Sequence, residues 1–466
     1  MDVKIKFLGG AGTVTGSRFL LEIDRQKILI DCGLFQGLKE YRLRNWDAFP
    51  IDPGVVDMVL LTHAHIDHSG YLPKLVKEGF KGPIYVTGPT MELVKILLLD
   101  AGKLQEEEAL YAAKKGYSKH PKPQPLFSIE DAEKVFPLLT PIEFEEEIVL
   151  DRRVSLTAYT AGHILGAAIL KLKLTGDQQE KKLVFSGDLG RFNDPILYPP
   201  SKVPFCDVLF LESTYGNRIN DSSDLEKKLA KAIRETYYKG GVSVIPSFAV
   251  GRTQMILYYL HRLQEKGLIP DIPIYVDSPM AIDVTALYKK FHHYHHLGAY
   301  LEEKGSNPFQ HKNLHYYQNQ EDSMSLNDLK GDAIIISASG MATGGRILHH
   351  LYHRLPNEND SIIFVGYQSE GTRGRKILDG EKTSRIYGID VSVKASVYFI
   401  DGLSAHADQN ELLEWCEGFI SKPKYTFLIH GEKKASMDLA DMLNKQLHWK
   451  VIVPEYLESF SLFTGI

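Results

Sequence analysis

The segment His63-Ala64-His65-Ile66-Asp67-His68 constrains this chain more than any other, because four ionisable side chains fall within six positions directly after the apolar run Val55 to Thr62. Such a run reads as a buried strand, and the helix-like stretch Tyr71 to Glu78 follows it, so the polar residues occupy a loop that a strand hands to a helix. In extended backbone His63 and His65 project to one side, and where the chain turns into the helix Asp67 and His68 swing toward a neighbouring point. One loop of this kind can serve two adjacent metal positions. Imidazole with carboxylate suits Zn²⁺ best, ahead of Mn²⁺ or Fe, and each ion still needs ligands from elsewhere in the chain. His163, within Thr160-Ala161-Gly162-His163-Ile164-Leu165-Gly166, and Asp188, within Phe185-Ser186-Gly187-Asp188-Leu189-Gly190, are the candidates. Each follows an apolar strand and has glycines beside it that let backbone pass close to an ion.

The chain around this loop is long enough for two or three domains: 466 residues, 44% apolar and 24% charged, which excludes a mainly disordered or membrane-embedded protein. Net charge is 54 − 59 = −5, so any nucleic-acid site must be a local basic patch. Cys32, Cys206 and Cys416 are scattered, fit neither a disulfide framework nor a zinc ribbon, and suit a reducing cytoplasm. The N-terminus alternates charged and apolar residues and does not read as a signal peptide, and no stretch is apolar for long enough to span a bilayer.

Short strand-like runs (Val3 to Leu8, Arg18 to Ile23, Lys27 to Asp31) open the chain, and a helix is expected from about Thr90 to Gly116, with Gln105 to Glu108 on its solvated face. Strands return at Ser155 to Ala161, Ala167 to Leu174, Lys182 to Ser186 and Val208 to Glu212. After Tyr215 strands alternate with helices as far as Ile362 to Gly366, the rhythm of a parallel α/β unit. From about Ser392 the earlier pattern resumes, with strands Lys394 to Ile400 and Lys424 to Ile429 around a helix Gln409 to Phe419. The expected architecture is α/β, with one domain interrupted by another: residues 1–211, an insert at 212–390, and a return at 391–466.

His-x-His-x-Asp-His with a downstream His and a bridging Asp resembles the metallo-β-lactamase superfamily, an αββα sandwich with a dinuclear site at one sheet edge. Phe210-Leu211-Glu212-Ser213-Thr214-Tyr215-Gly216, Gly402-Leu403-Ser404-Ala405-His406-Ala407-Asp408 and Leu428-Ile429-His430-Gly431-Glu432 resemble motifs A, B and C of its β-CASP nucleases. Pro246 to Arg252, Asp277 to Met280 and Ser337 to Met341 are also similar to that group. It includes the endonuclease of eukaryotic pre-mRNA 3′-end processing, RNase J and the Artemis-type DNA nucleases. The resemblance covers essentially the whole chain, and a histidine at the motif C position, His430, marks the RNA-directed members.

The resemblance implies two zinc ions per chain: His63, His65 and His163 hold one, Asp67, His68 and His430 the other, and Asp188 bridges them. Asp31 looks like the carboxylate that orients a ligand histidine. The paired cations would make water a nucleophile at neutral pH, His406 would protonate the departing ribose oxygen with Glu212 as its partner, and Asp67 would belong to the catalytic set as well as the metal set. The expected reaction is hydrolysis of single-stranded RNA to 5′-phosphate and 3′-hydroxyl ends. Ser247, Arg252, Ser339, Gly340, Arg346 and Ser404 are the expected substrate-binding residues, in a cleft between the two domains, with Arg373 and Arg375 as further candidates. The other readings are a DNA nuclease, a small-ester hydrolase of the same superfamily, and a metal-free RNA-binding scaffold. The inserted domain speaks against a small ester, His430 against DNA, and the filled ligand positions against a scaffold. No appended RNA-binding module is evident, which leaves a monomer, a homodimer and a processing complex all open.

Three other features read as structural. Gly10-Ala11-Gly12 with Gly16 imitates a dinucleotide loop, but a strand follows it where such a loop needs a helix. The tract His292 to His296 reads as a solvated helical face, and Met255 to Leu263 as core.

Overall fold

Alternating apolar and charged residues set the first sheet: along Val3–Phe7 the side chains of Val3, Ile5 and Phe7 are buried while Lys4 is exposed. The computed structural model describes residues 1–115, 123–177, 179–220, 223–298, 307–366, 368 and 370–465. Their contacts divide into two compact units, one made of Met1–Ile219 with His406–Ile466 and one of Asn220–Ala405.

The first unit holds two seven-stranded sheets. One runs in the order Ser459–Phe463, Val3–Phe7, Phe19–Ile23, Gln26–Ile30, Met58–Leu60, Ile84–Thr87, Leu139–Ile142. The other runs Val451–Ile452, Tyr425–Ile429, Val208–Glu212, Glu180–Phe185, Ala168–Thr175, Val154–Thr160, Glu147–Asp151. Their facing sides share one core that includes Phe7, Phe19, Leu60, Leu156, Leu170, Phe185, Phe210 and Phe427. Phe185 stacks on Phe210 at 4.1 Å between centroids, and Phe210 on Phe427 at 5.2 Å, contacts worth about 0.5–1.5 kcal/mol each beyond the area they bury. Helix Gly88–Lys115 packs on the first sheet at Ile84–Thr87 and Leu139–Ile142, and helix Lys433–Leu447 on the second at Tyr425–Ile429 and Val451–Ile452. The result is the expected αββα sandwich.

The second unit is built on a parallel sheet in the order Leu314–Tyr316, Ile274–Val276, Ala333–Ser337, Val242–Pro246, Ser361–Phe364, Ser396–Phe399. Helices such as Arg252–Glu265 and Pro279–Lys290 alternate with its strands.

Several sequence expectations need adjustment. Strand Ser396–Phe399, expected beyond a boundary at residue 390, pairs in parallel with Ser361–Phe364 inside the second unit. The run Val55 to Thr62 is strand only over Met58–Leu60, because Pro53 opens a 3₁₀ turn over Pro53–Val55. The long helix spans Gly88–Lys115, and its expected last residue, Gly116, lies outside the described residues. Within it Gln105 and Glu106 are not merely solvated, since their side-chain oxygens accept the backbone N–H groups of Leu126 and Ile129 at 3.0 Å each. In the histidine tract, His295 is buried and bonds the Tyr288 carbonyl at 2.8 Å. A hairpin over Thr383–Ile386 and Ile389–Ser392 was not anticipated. Tyr387 and Gly388 turn it, both with positive φ, as a two-residue loop of this hand requires.

Candidate metal centre

In the first unit, Gln26–Ile30 and Met58–Leu60 are parallel neighbours, and so are Glu180–Phe185, Val208–Glu212 and Tyr425–Ile429. Asp31, the histidine loop, Asp188, Glu212 and His430 leave from the carboxyl ends of those strands, and His163 follows Val154–Thr160. Open sheets concentrate polar loops at such ends. The loops press together so tightly that a Cβ on Gly190 would lie 1.8 Å from the carbonyl oxygen of Gly162, which joins the Asp188 and His163 loops backbone to backbone.

These loops bring seven donor side chains into two touching groups. His63 Nε2 lies 3.1 Å from His65 Nδ1, which lies 3.1 Å from His163 Nε2. Asp188 Oδ2 closes that set at 3.4 Å from His63 and 3.6 Å from His163. The same carboxylate turns Oδ1 toward His68 Nε2 at 3.4 Å and brings Oδ2 to 3.6 Å from His430 Nε2, which is 3.8 Å from Asp67 Oδ2. Within each group, His63/His65/His163/Asp188 and Asp67/His68/His430, the donor atoms lie within 4.8 Å of one another. Asp188 lies within 3.6 Å of histidines in both groups.

A second layer of bonds aims these rings. Asp31 Oδ2 is 2.8 Å from His68 Nδ1 and is itself held by the Thr62 hydroxyl at 2.9 Å, while Oδ1 accepts the Thr62 N–H at 2.8 Å. Thr62 Oγ1 lies 3.0 Å from His63 Nδ1, and Ser17 Oγ lies 2.8 Å from His430 Nδ1. Engaging one ring nitrogen leaves the other turned inward as a lone pair. His430 and Asp31 both adopt left-handed backbone, φ 48° and 57°. Non-glycine residues there cost about 1–3 kcal/mol and persist only where the surroundings hold them.

The donor set fits a metal cation. His68 Nε2 and Asp188 Oδ1 are buried without a hydrogen-bond partner, which costs about 1–3 kcal/mol per group if nothing else satisfies them. Burial, aided by the neighbouring imidazoles, holds His63 and His68 well below the ordinary histidine range and brings His65 and His430 down to about 3, so all four rings are neutral at pH 7. Burial also raises Asp31 to about 8 and Asp67 to about 6, and Asp188 rises well above the carboxylate range through burial and then the charges of Glu212, Asp67 and Asp31. Neutral imidazoles and mutually repelling carboxylates are what a bound cation converts into ligands.

His406 joins the same cluster through Asp188 and Glu212. Glu212 is fully buried, and its Oε1 takes the Leu189 N–H at 2.7 Å and lies 3.2 Å from His406 Nδ1. Burial pushes the Glu212 carboxyl up, but attraction to His406 and their hydrogen bond outweigh it and leave the group below its usual range. The His406 ring stands 4.3 Å from that of His163.

The substrate-binding set is placed differently. Ser247, at the end of Val242–Pro246, is buried and accepts from Thr253 at 3.1 Å. Gly340 packs against Phe248, whose ring a Cβ would meet at 2.9 Å, and Ser339 Oγ accepts the Thr343 N–H at 3.1 Å. Ser404 is half-buried in a loop. Arg252 donates to the Val365 carbonyl. Arg346 pairs with the buried Asp277 at 2.7 Å, Arg373 donates to the Ala342 carbonyl at 2.6 Å, and Arg375 pairs with Asp379 at 2.9 Å.

Sequence reasoning missed Ser17 and Thr62. Thr62 could have been found by its place just before His63, whereas nothing local marks Ser17, which arrives from a glycine loop. That loop is the dinucleotide lookalike, and it serves the cluster instead: the Gly10 carbonyl accepts the His430 N–H at 2.7 Å, and strand Phe19–Ile23 follows. Cys32, Cys206 and Cys416 are buried free thiols. No helix among the described residues is long and apolar enough to cross a membrane.

Comparison with known proteins adds three family matches: a metallo-β-lactamase superfamily domain over residues 20–198, a Beta-Casp domain over 253–377, and a Zn-dependent metallo-hydrolase RNA specificity domain over 390–454. Ribonuclease TTHA0252 of Thermus thermophilus is 38% identical over 448 residues, which cover 95% of this chain and 96% of that protein. Transcription termination factor FttA of Methanosarcina mazei is 33% identical over 460 residues, 96% of this chain and 69% of that protein. A protein of unknown function from Enterococcus faecalis V583 shares the fold, with TM-score 0.56 and 15% identity over 99% of this chain and 100% of that one.

Proposed function

Because the chain belongs to the β-CASP ribonuclease family of the metallo-β-lactamase superfamily, we propose that it is a zinc-dependent ribonuclease acting in the cytoplasm on single-stranded RNA. The observation that carries this reading is the convergence on Asp188 of two histidine-rich donor groups with the His406–Glu212 pair beside them. His63, His65 and His163 would hold one zinc ion and Asp67, His68 and His430 the other, with Asp188 shared. Bound there, the metal supplies Lewis acidity that activates water and offsets charge developing on a phosphate.

The chain's own residues do the rest. In the displacement, the water oxygen gives up a proton to solvent and bonds to phosphorus as the bond from phosphorus to ribose O3′ breaks. The departing oxygen takes a proton from the His406 nitrogen that faces away from Glu212. Glu212, bonded at Nδ1, fixes the ring and stabilises its protonated form. Asp31, Thr62 and Ser17 keep the ligand rings in register. Products carry 5′-phosphate and 3′-hydroxyl ends. Ser247, Ser339, Gly340 and Ser404 would help hold the RNA, with Arg252 and Arg346 acting through the loops they brace.

Zinc-loaded protein offered matched RNA and DNA, with 5′-monophosphate, 5′-triphosphate or 5′-hydroxyl ends, tests this. RNA is expected to be cut to 5′-phosphate products while DNA stays intact. Cleavage of DNA in preference to RNA, or of neither by metal-replete protein, rejects the reading.

A further inference from the structure

One stretch of the first unit carries cations that stand outside any ion pair among the described residues. Residues 36–47 contain Lys39, Arg42 and Arg44 against Glu40 and Asp47, a surplus of 3 − 2 = 1 in a chain whose net charge is −5. Among the described residues none of these three cations forms an ion pair, whereas Arg346 and Arg375 of the second unit are both paired. Unpaired guanidinium groups on an acidic protein point to an anion from outside.

Ring faces stand beside them. Trp46 is 57% exposed, with Leu38 and Leu43 exposed nearby. The Arg44 guanidinium lies 4.3 Å from the ring centroid of Tyr456 and 5.0 Å from that of Tyr41. Tyr456 also lines an open cavity of about 610 Å³, whose other walls include Lys433, Met437, Asp441 and Glu455. Tyr41 and Tyr456 are half-buried and Trp46 is the exposed ring; an exposed aromatic face beside unpaired cations is the pattern by which proteins hold single-stranded nucleic acid without reading its sequence, a base stacking on the ring and phosphates meeting the charges.

The stretch is tied to the metal loop. Asn45 clamps Phe35, accepting its N–H at 2.9 Å and donating to its carbonyl at 2.7 Å. Just before that clamp, Cys32 donates to the His68 carbonyl at 2.7 Å and Leu34 to that of Ile66 at 2.9 Å. A strand bound by Arg42, Arg44 and Trp46 is therefore anchored on the same rigid frame as the residues that face the candidate metal.

We propose that Tyr41, Arg42, Arg44, Trp46 and Tyr456 form a sequence-tolerant surface for the single-stranded RNA flanking the scissile bond, distinct from the residues that break it. The proposal rests on the ribonuclease reading for its substrate and is tested separately from it. Three variants serve: Trp46→Ala, its conservative partner Trp46→Phe, and the double variant Arg42→Gln/Arg44→Gln. For a long RNA, KM is expected to rise about five-fold or more in Trp46→Ala and to recover in Trp46→Phe. The salt dependence of long-RNA binding should flatten by about one to two in log–log slope in the arginine pair. Cleavage of an RNA too short to reach the surface, and metal content, should not change. Unaltered KM and salt slope overturn the proposal, as does a change of oligomeric state with RNA binding intact, which would assign the patch to a second copy of the chain. If the wild-type protein cuts no RNA, the ribonuclease reading fails on its own, and fluorescence anisotropy of labelled uncut RNA on the same variants still decides the surface.

Discussion

The Asp188 cluster of the first unit and the Asp277 cluster of the second hold their polar side chains in different states. In the first, imidazoles and carboxylates are buried with bonding capacity unspent: His68 Nε2 and Asp188 Oδ1 have no hydrogen-bond partner, and Asp188 faces four histidines. In the second, the conspicuous arginines are consumed locally. Arg346 is locked to Asp277, which also holds His350 at 2.7 Å and Ser323 at 2.7 Å. A charged residue beside glycines is therefore weak evidence of a ligand. What matters is whether the fold has already satisfied it.

The sharpest way to break this contrast is at the donors. Replacing His63 with Ala should abolish tight metal retention and with it RNA cleavage, as measured by elemental analysis and a gel assay on one preparation; an active, metal-replete variant would remove His63 from the site. Next is His406→Ala, which should lower kcat by about 10²–10⁴-fold while leaving metal content unchanged. Asp31→Asn comes third. Its loss of the charge facing His68 should weaken zinc affinity about 10–100-fold in competition with a chelator, and unchanged affinity would make Asp31 a bystander.

In the second unit the expected effect is of another kind. Arg346→Ala leaves Asp277 buried without its cation and should cost on the order of 3 kcal/mol of stability in thermal or urea unfolding, with metal content untouched. If RNA affinity falls while stability holds, Arg346 contacts phosphate directly and the contrast fails for that residue.

The smallest signal is proton release. Burial holds Asp31 at about 8, so it is largely protonated at pH 7 without metal, and Asp188 is shifted in the same direction; a bound cation favours the ionised form of both. Zinc binding at pH 7 should release about one proton or more, and affinity should rise with pH until about 8. Calorimetry in buffers of different ionisation enthalpy reads this directly, and an uptake of protons would contradict it.

Much of this was legible in the chain. The spacing of His63, His65, Asp67 and His68 announces a metal loop because backbone geometry near a strand end leaves few other uses for it, and Asp31, His163, Asp188, Glu212, His406 and His430 each stand just past an apolar strand or in a motif. Ser17 was not legible, since its role depends on a glycine loop folding back to within a hydrogen bond of His430, over 400 residues later. The commitment of Arg346 to Asp277 was likewise hidden, because the pairing of Ile274–Val276 with Ala333–Ser337 creates it. Local pattern fixed the strand cores, whereas the membership of Ser396–Phe399 was decided by which neighbour offered a free sheet edge.

Elemental analysis of purified protein, loaded with zinc and freed of loosely held ions, addresses the proposed dinuclear centre itself. Two zinc ions per chain are expected in the wild type, with both sites perturbed by Asp188→Ala because that carboxylate faces both donor groups. Properly folded protein that retains no zinc under loading, or that keeps two ions after Asp188→Ala, would contradict a centre built on this residue.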